Sequence, residues 1–566
     1  MRQILSRLTL LGLLFIIFNS AQAQSDKSGR DERAQRVDEL FAQWSKPETP
    51  GCALAVIGDG QVIYQRGYGI ANLDYGIPIS STSVFNIASM SKQFTAMSVA
   101  LLARQGKLSL EDDIRKFLPE LPQYQSPVTI RQLIYHTSGI REYSHLMQLA
   151  GVRFQDASDE DVFKIIARQK ELNFKPGEEY LYSNSGYFLL AQIIKRASGK
   201  SLREYADENI FKPLGMTNTR FHDDSSAVIK NRAAGYSSRQ GGGFALEITA
   251  SDHVGDGGLL TTIDDLLLWD RNFSENRLSG GVDLIRQFLT QGKLNDGDAI
   301  DYAFGMDVET YRGLKLFGHG GAFNGFNSDM IRFSEQRFSV ICLCNLSGIE
   351  SGRLTRGVAD IYLADEFKRS AEGESRTAPP EPKAVQVPEK ELTAVAGSYF
   401  NPANNNFRKI YVKNGKLIYS RGSSESELAP LGNNHFLMLG VPDRVELSFK
   451  SARPGAPLQM TTMVNGVGSI IHDAVKPAAY TPQQLKEFAG TYYSPEIDAT
   501  YIILQGDKLL LRRKNVDEDT PLLTQFADSF SAAGSGSIQF TRDRQNHVTG
   551  FRLSTSRVRK LRFDKI

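Results

Sequence analysis

The chain has 566 residues, which is too long for one compact hydrophobic core, so we expect two to four domains. Hydrophobic residues make up 41% of the sequence, charged residues 23%, and the formal net charge is +2 at pH 7. This composition is that of an ordinary soluble globular protein, and the balanced charge argues against a nucleic-acid partner.

The first 23 residues have the pattern of a secretory signal peptide. Arg2 and Arg7 give a basic start, an apolar run covers 8–18, and Ala-Gln-Ala at 21–23 offers a cleavage site. The alternative, a buried first helix, is less favoured because charge, apolar run and cleavage site occur in this order. The run is too short for a comfortable membrane span, no cysteine lies near the cleavage site, and no later segment looks membrane-spanning. We therefore expect an exported protein, periplasmic or secreted, with no membrane span after cleavage.

A first domain over 24–370 is predicted to have strands at both ends and helices between them. An amphipathic helix at 35–44 precedes a hairpin whose strands are 52–57 and 62–64. From about 87 to 300 the pattern is mainly helical. The predicted helices there include 91–102, 186–197 and 264–270; strands follow at 314–317, 330–333 and 338–343, and a helix near 357–367. Strands from the two ends predict one antiparallel sheet in a layered α/β (α+β) domain.

The three cysteines give little information about function. Cys342 and Cys344 alternate with apolar residues in a predicted buried strand, and Cys52 opens another such strand. An odd number allows at most one disulfide within the chain, which Cys52 can form with either partner if the strands are adjacent. Buried free thiols are the favoured interpretation. No spacing indicates a metal site, and we expect no metal and no cofactor.

Residues 371–390 are charged and proline-rich, which predicts a linker. Beyond it, two segments repeat each other with a period of about 93 residues. The matched positions are Leu392 with Leu485, Tyr399 with Tyr492, Leu417 with Leu509, Phe436 with Phe530 and Phe449 with Phe540. Short alternating strands predict two antiparallel β-barrel-like modules of roughly eight strands, at 391–475 and 476–566. They carry no evident chemical motif, so a structural or binding role is favoured.

Three short motifs in the first domain point to one chemistry. In the first, Ser89 and Lys92 are three residues apart at the start of a predicted helix, so both lie on one face. A lysine placed there can take the serine proton and activate the hydroxyl as a nucleophile. About two such spacings are expected by chance in a chain of this length and ordinary composition. The other motifs are therefore needed to give this spacing weight.

The second motif is Tyr182-Ser183-Asn184, which lies on a loop before a predicted helix. A tyrosine phenol can shuttle protons, and an asparagine amide can hold the lysine or a substrate carbonyl. The third motif is His319-Gly320-Gly321, where the glycines permit a ligand to approach the backbone closely. His319 can hydrogen-bond the tyrosine or the substrate. Each motif alone has a structural explanation, but their order favours a common site.

With these motifs the sequence resembles the superfamily of serine β-lactamases and penicillin-binding proteins. The branch it resembles contains class C β-lactamases, DD-peptidases, D-aminopeptidases and related esterases. The resemblance covers roughly residues 30–368. Further similar stretches are Tyr-His-Thr-Ser-Gly at 135–139, Lys-Pro-Leu-Gly-Met at 212–216 and Gly-Gly-Leu-Leu-Thr-Thr at 257–262.

The resemblance implies a role for each motif residue. Ser89 is the acylated nucleophile, and Lys92 and Tyr182 share the general-base and general-acid duties. His319 takes the place of the third-motif lysine of class C enzymes. Asn184, Gly320 and Gly321 bind the substrate, and the backbone N–H groups of Ser89 and Ala322 form the oxyanion hole. Water then releases the acyl group, and no metal takes part.

Two departures from the family pattern bear on the substrate. A lysine in the third motif is a permanent cation suited to a β-lactam carboxylate, whereas a histidine is often neutral at pH 7. Gly320 also lacks the threonine hydroxyl that is common there. We therefore expect a peptidase or amidase for D-amino-acid peptides or cell-wall fragments, and the tail resembles the three-domain layout of D-aminopeptidases. The alternatives are an esterase, a β-lactamase, or a penicillin-binding sensor that is acylated without turnover. The expected partner is a small peptide, ester or β-lactam.

Overall fold

The computed structural model describes residues 32–566 apart from 154–156, 249–250, 375–384, 423, 442–443, 454, 465–466 and 535. The predicted signal peptide and the middle of the predicted linker lie outside these residues. Within them, no helix is both long enough and apolar enough to cross a membrane.

The first domain contains the predicted mixture of strands and helices. Its strands are β1 (Cys52–Gly58), β2 (Gln61–Tyr68), β3 (Ile70–Asn72), β4 (Ile77–Pro78), β5 (Phe85–Asn86), β6 (Arg220–Phe221), β7 (Gly235–Ser238), β8 (Phe244–Glu247), β9 (Leu259–Thr261), β10 (Asp307–Tyr311), β11 (Leu314–Phe323), β12 (Phe326–Phe333) and β13 (Phe338–Cys344). Its helices are α1 (32–41), α2 (Lys92–Arg104), α3 (Ile130–Ile134), α4 (Tyr143–Ala150), α5 (Asp159–Ala167), α6 (Asn184–Ser198), α7 (Leu202–Ala206), α8 (Lys212–Leu214), α9 (Ile263–Glu275), α10 (Gly281–Phe288), α11 (Ser351–Tyr362) and α12 (Ala364–Glu374).

A six-stranded antiparallel sheet with the order β10-β11-β12-β13-β1-β2 forms the centre of this domain. It joins strands from the two ends of the domain, because β1 pairs with β13 along its whole length, as the sequence predicts. Both faces of the sheet are covered. Ala53, Ala55 and Ile57 of β1 belong to the core shared with the helical region, whereas Leu54 and Val56 face the layer formed by α1 and α11. This two-sided burial explains the uninterrupted apolar run of β1.

Cys52 and Cys344 form a disulfide, so the interpretation of all three cysteines as free thiols is wrong for this pair. The two residues lie directly opposite each other on β1 and β13, with a Cα–Cα distance of 4.0 Å. Such a non-hydrogen-bonded antiparallel pair brings side chains close together. Cys342, two residues away, is a buried free thiol.

Two closed antiparallel barrels of eight strands follow, as the repeat predicts. The first contains β14 (Gly397–Asn401), β15 (Asn406–Lys413), β16 (Lys416–Arg421), β17 (Ser424–Gly432), β18 (His435–Met438), β19 (Val445–Ser451), β20 (Leu458–Val464) and β21 (Val467–Val475), preceded by α13 (Glu389–Val395). The second contains β22 (Gly490–Ser494), β23 (Ala499–Gln505), β24 (Leu509–Arg513), β25 (Thr520–Phe526), β26 (Ser529–Ala532), β27 (Gly536–Arg542), β28 (Val548–Ser554) and β29 (Leu561–Lys565), preceded by α14 (Pro482–Leu485). Helix α12 extends to Glu374, so the start of the predicted linker is helical.

The repeated residues occupy equivalent positions in the two barrels. Tyr399 in β14 donates its hydroxyl to the Val395 carbonyl at 2.7 Å, and Tyr492 in β22 donates to the Phe488 carbonyl at the same distance. Each bond ties the first strand of a barrel to the turn of helix before it. The sequence repeat therefore corresponds to a repeated structural unit.

The second barrel packs directly against the first domain. Arg141, which is 0% exposed, forms an ion pair with Glu496 at 3.0 Å and donates to the Arg559 carbonyl. The Tyr501 hydroxyl donates to the Leu149 carbonyl of α4 at 2.8 Å. This contact brings the loop between β28 and β29 close to the motif residues.

Candidate active site

Ser89 lies on a single 3₁₀ turn, Ala88–Ser91, that leads directly into α2, close to its predicted place at a helix start. Ala88 has a φ of +46°, a strained conformation for a residue with a side chain. The Ser91 hydroxyl donates to the Ala88 carbonyl at 2.5 Å and accepts from the Leu259 N–H at 3.1 Å. Ser91 thus holds the turn, while the half-buried Ser89 side chain lines two cavities.

Lys92 is fully buried below Ser89. Its ammonium nitrogen lies 3.2 Å from Ser89 Oγ, 2.8 Å from Asn184 Oδ1 and 2.6 Å from the Asp256 carbonyl oxygen. Burial lowers the pKa of Lys92 to about 8, and the charges of Asp256 and Glu142 oppose this lowering. At pH 7 about one tenth of the molecules then carry a neutral amine beside the serine hydroxyl.

Tyr182 lies on the other side of Ser89 and hydrogen-bonds the serine side chain. Its ring centroid is 4.8 Å from the Lys92 ammonium nitrogen. Burial raises the pKa of Tyr182 well above its usual value, and the bond to Ser89 only partly offsets this. The phenol is therefore protonated in the resting site.

Asn184 is the first residue of α6, and hydrogen bonds fix both its side chain and its backbone. Its side-chain oxygen accepts from Lys92, and its backbone N–H donates to Glu142 Oε2 at 2.6 Å. Glu142 is 0% exposed and carries no motif signal, so sequence reasoning missed it. Its only sequence clue is its position shortly after the stretch at 135–139.

His319 lies on β11 within the same site, but its ring makes different contacts from those predicted. Nδ1 lies 2.5 Å from the Gly320 carbonyl and Nε2 lies 3.1 Å from the Tyr302 hydroxyl. Because a carbonyl only accepts, Nδ1 carries the proton and Nε2 accepts from Tyr302. Burial and the Lys92 charge lower the pKa of His319 to about 3, which keeps the ring neutral. A catalytic role for His319 therefore stays a prediction.

Gly321 allows β11 to pass directly beside the nucleophile. A Cβ at this position would lie 2.2 Å from the Ile87 carbonyl oxygen and 3.0 Å from the Ser89 nitrogen. The Ser328 hydroxyl donates to the same Ile87 carbonyl at 2.8 Å and fixes the neighbouring strand there. Ala322 and Ser89 line the same two cavities, and the oxyanion hole formed by their N–H groups stays a prediction.

His136 supports the tyrosine side of the site. It is buried with a φ of +57°, and its Nδ1 accepts from the Ser183 N–H at 3.1 Å. Its ring packs against Tyr182, Tyr187 and Tyr302, with centroid distances of 4.3, 5.1 and 4.6 Å. The resemblance of residues 135–139 to the family includes this histidine but assigns it no role.

Two cavities meet at Ser89. The inner cavity, of about 160 Å³, is lined by residues that include Ser89, Tyr143, Asn184, Arg232, His253 and Asp256. The outer cleft, of about 670 Å³, is lined by residues that include Ser89, Tyr182, Asp307, His319, Gly320 and Arg557. A substrate bound across the serine would place one part in each cavity.

The second barrel contributes Arg557 to the outer cleft. The guanidinium lies 4.9 Å from the Tyr182 ring centroid. The backbone of this loop is fixed, because the Arg557 carbonyl accepts from Asn173 Nδ2 at 2.9 Å and from the Glu142 N–H at 3.3 Å. A barrel with no chemical motif of its own thus delivers a cation to the site.

A serine on the turn before a helix, a buried lysine one turn later and a tyrosine across from them define a class: serine hydrolases with the β-lactamase fold. Comparison with known proteins agrees. A family model described as Beta-lactamase matches residues 35–363, and the chain belongs to that family.

A D-aminopeptidase from Cereibacter sphaeroides is 31% identical over 298 residues, which are 52% of this chain and 57% of the relative. A D-aminopeptidase from another strain of that species is 26% identical over 91% of this chain and 96% of its own length. The first curated relatives are thus matched over little more than half of their length. An octameric penicillin-binding-protein homologue from Pyrococcus abyssi shares the fold, with 21% identity, a TM-score of 0.53 and coverage of 86% of this chain and 98% of that structure.

Proposed function

We propose that this protein is an exported serine hydrolase that forms an acyl-enzyme on Ser89 and acts on peptides containing D-amino acids. The observation that carries the proposal is the buried amine of Lys92, 3.2 Å from Ser89 Oγ and with a pKa lowered to about 8. A neutral amine is a competent base for the serine proton.

In the acylation step, Lys92 accepts the proton from Ser89 Oγ, and the oxygen attacks the carbonyl carbon of the substrate. The N–H groups of Ser89 and Ala322 stabilise the resulting oxyanion. The leaving amine takes a proton from Tyr182, whose phenol is protonated at rest because burial raises its pKa. Lys92 returns its proton to the tyrosine as the C–N bond breaks.

In the deacylation step, a water molecule gives a proton to Lys92 and attacks the ester carbon of the acyl-enzyme. The bond to Ser89 Oγ breaks, and the oxygen regains a proton from Lys92. His319 and Asn184 line the site on either side of this reaction, and Asn184 also orients the Lys92 amine at 2.8 Å.

Two observations support export. The N-terminal 23 residues have the pattern of a signal peptide. The Cys52–Cys344 disulfide suits an oxidising compartment such as the periplasm or the exterior of the cell. Sequencing the N-terminus of the protein purified from its native host tests this part: a mature chain that retains residues 1–23 would refute it.

Labelling with a fluorescent penicillin and with a fluorophosphonate tests the nucleophile. We expect a single adduct on the Ser89 peptide by mass spectrometry, and no adduct on Ser89→Ala. Ser98→Ala is the matched control, because Ser98 lies on α2, the helix that follows the Ser89 turn, and its buried hydroxyl donates to the Phe94 carbonyl. Equal labelling of wild type and Ser89→Ala would refute the proposal.

A turnover screen then addresses the substrate. It compares D-aminoacyl amides and their L-isomers, D-Ala-D-Ala peptides, a cephalosporin and short esters. We expect the D-isomers to be preferred over the L-isomers. An adduct that forms without any turnover would instead identify a sensor, and faster turnover of the esters than of every amide would identify an esterase.

A further inference from the structure

The outer cleft is where the leaving portion of a substrate would lie. Tyr182, which donates a proton to the leaving amine in the proposed mechanism, lines this cleft and is not among the described residues that line the inner cavity. A leaving amine beside the Tyr182 phenol therefore continues into the outer cleft. The cleft volume of about 670 Å³ leaves room there for a further side chain.

Asp329 places a carboxylate in the wall of this cleft. The residue lies on β12 directly opposite Gly320 of β11, and it is 5% exposed. Its Oδ2 accepts from the Thr355 hydroxyl and lies 3.8 Å from Arg356 Nη1. Within the described part of the chain, Oδ1 has neither a hydrogen-bond donor nor an ion-pair partner. A carboxylate oxygen without a donor is costly in such a place, so a ligand that supplies one gains binding free energy.

Two glycines leave this oxygen uncovered on the side of the cleft. A Cβ at Gly320 would lie 3.3 Å from Asp329 Oδ1, and a Cβ at Gly352 would lie 3.8 Å from it. Both glycines line the cleft, so neither contributes a side chain that would separate the oxygen from a ligand. A larger residue at position 320 would place its side chain against Oδ1.

Asp307, the first residue of β10, adds a second carboxylate to the wall of the cleft. It is partly buried, and burial together with the charges of Glu309 and Asp329 raises its pKa to about 7. Burial also raises the pKa of Asp329. Both shifts indicate that the protein alone compensates these two negative charges incompletely.

The cations near the cleft are engaged with other groups. Arg356 donates to Glu309 at 2.6 Å and approaches Asp329 only at 3.8 Å. Arg557 lies against the Tyr182 ring, with its guanidinium 4.9 Å from the ring centroid. Among the described residues, no ion pair within 4 Å joins Arg557 to either carboxylate. A positively charged group is therefore the ligand that this part of the cleft favours.

We propose that Asp329 and Asp307 bind a positively charged group on the leaving portion of the substrate, such as the side-chain ammonium of a lysine or ornithine residue after the scissile bond. This inference rests on the proposed function and narrows its substrates to peptides or amides with a basic leaving residue.

The bound cation acts through hydrogen bonding and charge alone. An ammonium group donates to Asp329 Oδ1 in a charge-assisted hydrogen bond, and its charge offsets the repulsion between the two carboxylates. It forms no covalent bond and keeps its protons throughout the reaction at Ser89. A neutral group of the same length leaves Asp329 Oδ1 without a donor.

The test uses the full-length protein and D-alanine ω-aminoalkylamides with two to five methylene groups. Each amide is compared with the amide in which a methyl group replaces the ammonium group, so that length and apolar contact are nearly matched. We expect kcat/KM to be about 10- to 100-fold higher for the ammonium member of the best-fitting pair. Release of D-alanine, followed by mass spectrometry, gives both values.

Variants of the cleft locate this preference. Asp329→Asn keeps an acceptor for the Thr355 hydroxyl and should lower the kcat/KM ratio of the best pair at least about 10-fold, and Asp307→Asn should lower it as well. Glu350→Gln is the matched control, because it removes one negative charge from an exposed position in the same cleft, where Glu350 pairs with Arg353 at 3.3 Å. Its ratio should change less than about 2-fold. An equal loss in Glu350→Gln and Asp329→Asn would overturn the proposed site.

A measurement on the wild type keeps the proposal falsifiable if Asp329→Asn fails to fold. Acetylation of the distal amine should lower kcat/KM to about the value of the methyl-terminated amide. Equal kcat/KM for both members of every pair, or an unchanged ratio in a folded Asp329→Asn, would overturn the cation site. Stoichiometric binding of Ca²⁺ in calorimetry that Asp329→Asn abolishes would overturn it in favour of a metal site. None of these results affects the labelling of Ser89, whereas failure of the proposed function would abolish that labelling.

Discussion

The buried amine of Lys92 should make the first domain less stable at neutral pH than a variant without it. Burial lowers the pKa of Lys92 from 10.5 to about 8. Near pH 7 the lysine is protonated in both the folded and the unfolded chain, and the folded state bears the cost of desolvating the charge. A shift of this size corresponds to about 3 kcal/mol. The variant Lys92→Met, whose unbranched side chain is one heavy atom shorter, removes this cost together with the proton.

The sign of the pH dependence follows from the direction of the shift. As pH rises through about 8, the folded protein releases the Lys92 proton, while the unfolded chain keeps it until about 10.5. The wild type therefore gains stability relative to Lys92→Met over this range. From pH 7 to about pH 9.5, the difference in the free energy of unfolding should change by about 2 kcal/mol in favour of the wild type.

Urea unfolding followed by tryptophan fluorescence measures this difference for the relevant domain. Both tryptophans of the chain, Trp44 and Trp269, lie in the first domain, so the barrels do not contribute to the signal. Lys107→Met, at an exposed position after α2, controls for the loss of a surface charge. If the difference in the free energy of unfolding between the wild type and Lys92→Met stays constant from pH 7 to about pH 9.5, the lowered pKa of Lys92 is refuted.

Three further perturbations have defined outcomes. With a neutral ester as substrate, kcat/KM should rise with pH and level off above about 8, where Lys92 is neutral. Because the Arg557 guanidinium lowers the pKa of Lys92, Arg557→Gln should shift this rise in kcat/KM to higher pH. Gly321→Ala should reduce the rate of penicillin labelling about 100-fold, since its Cβ would displace the backbone beside the nucleophile; retention of the wild-type rate would contradict the close approach. Glu496→Gln should destabilise the protein by about 1–3 kcal/mol, because the buried Arg141 then keeps only Glu171, at 3.8 Å, as a charged partner. It should also increase limited proteolysis between the first domain and the second barrel.

Local spacing was sufficient to predict the parts of the site that come from single turns of chain. Ser89 and Lys92 share a turn, and Tyr182 and Asn184 flank a helix start, so their mutual positions follow from backbone geometry. The repeat predicted both barrels for a similar reason, because equivalent residues of each copy make equivalent contacts. In these cases short-range pattern and tertiary structure agree.

Other parts of the site depend on distances that no short pattern encodes. Asp256 and Tyr143 meet the motif residues only after α2, α4 and α6 pack together. Arg557 reaches the cleft because a buried ion pair seats the second barrel against the first domain. The disulfide follows from the register of β1 and β13, in which Cys52 faces Cys344 rather than Cys342. Burial also changes chemistry that composition cannot indicate, as it does for the neutral His319.

The disulfide also sets the order in which this domain can be completed during biosynthesis. Its two cysteines are 292 residues apart in the chain, at the middle of the sheet. The disulfide cannot form until β13 has been synthesised, which is almost at the end of the first domain. Until then, β1 lacks its partner strand β13. An N-terminal fragment that ends before β13 would expose an unpaired edge of β1. Synthesis stalled at that stage would therefore present a substrate for chaperones. In the finished domain, a cut in the helical region between the two cysteines would leave both fragments joined by the disulfide.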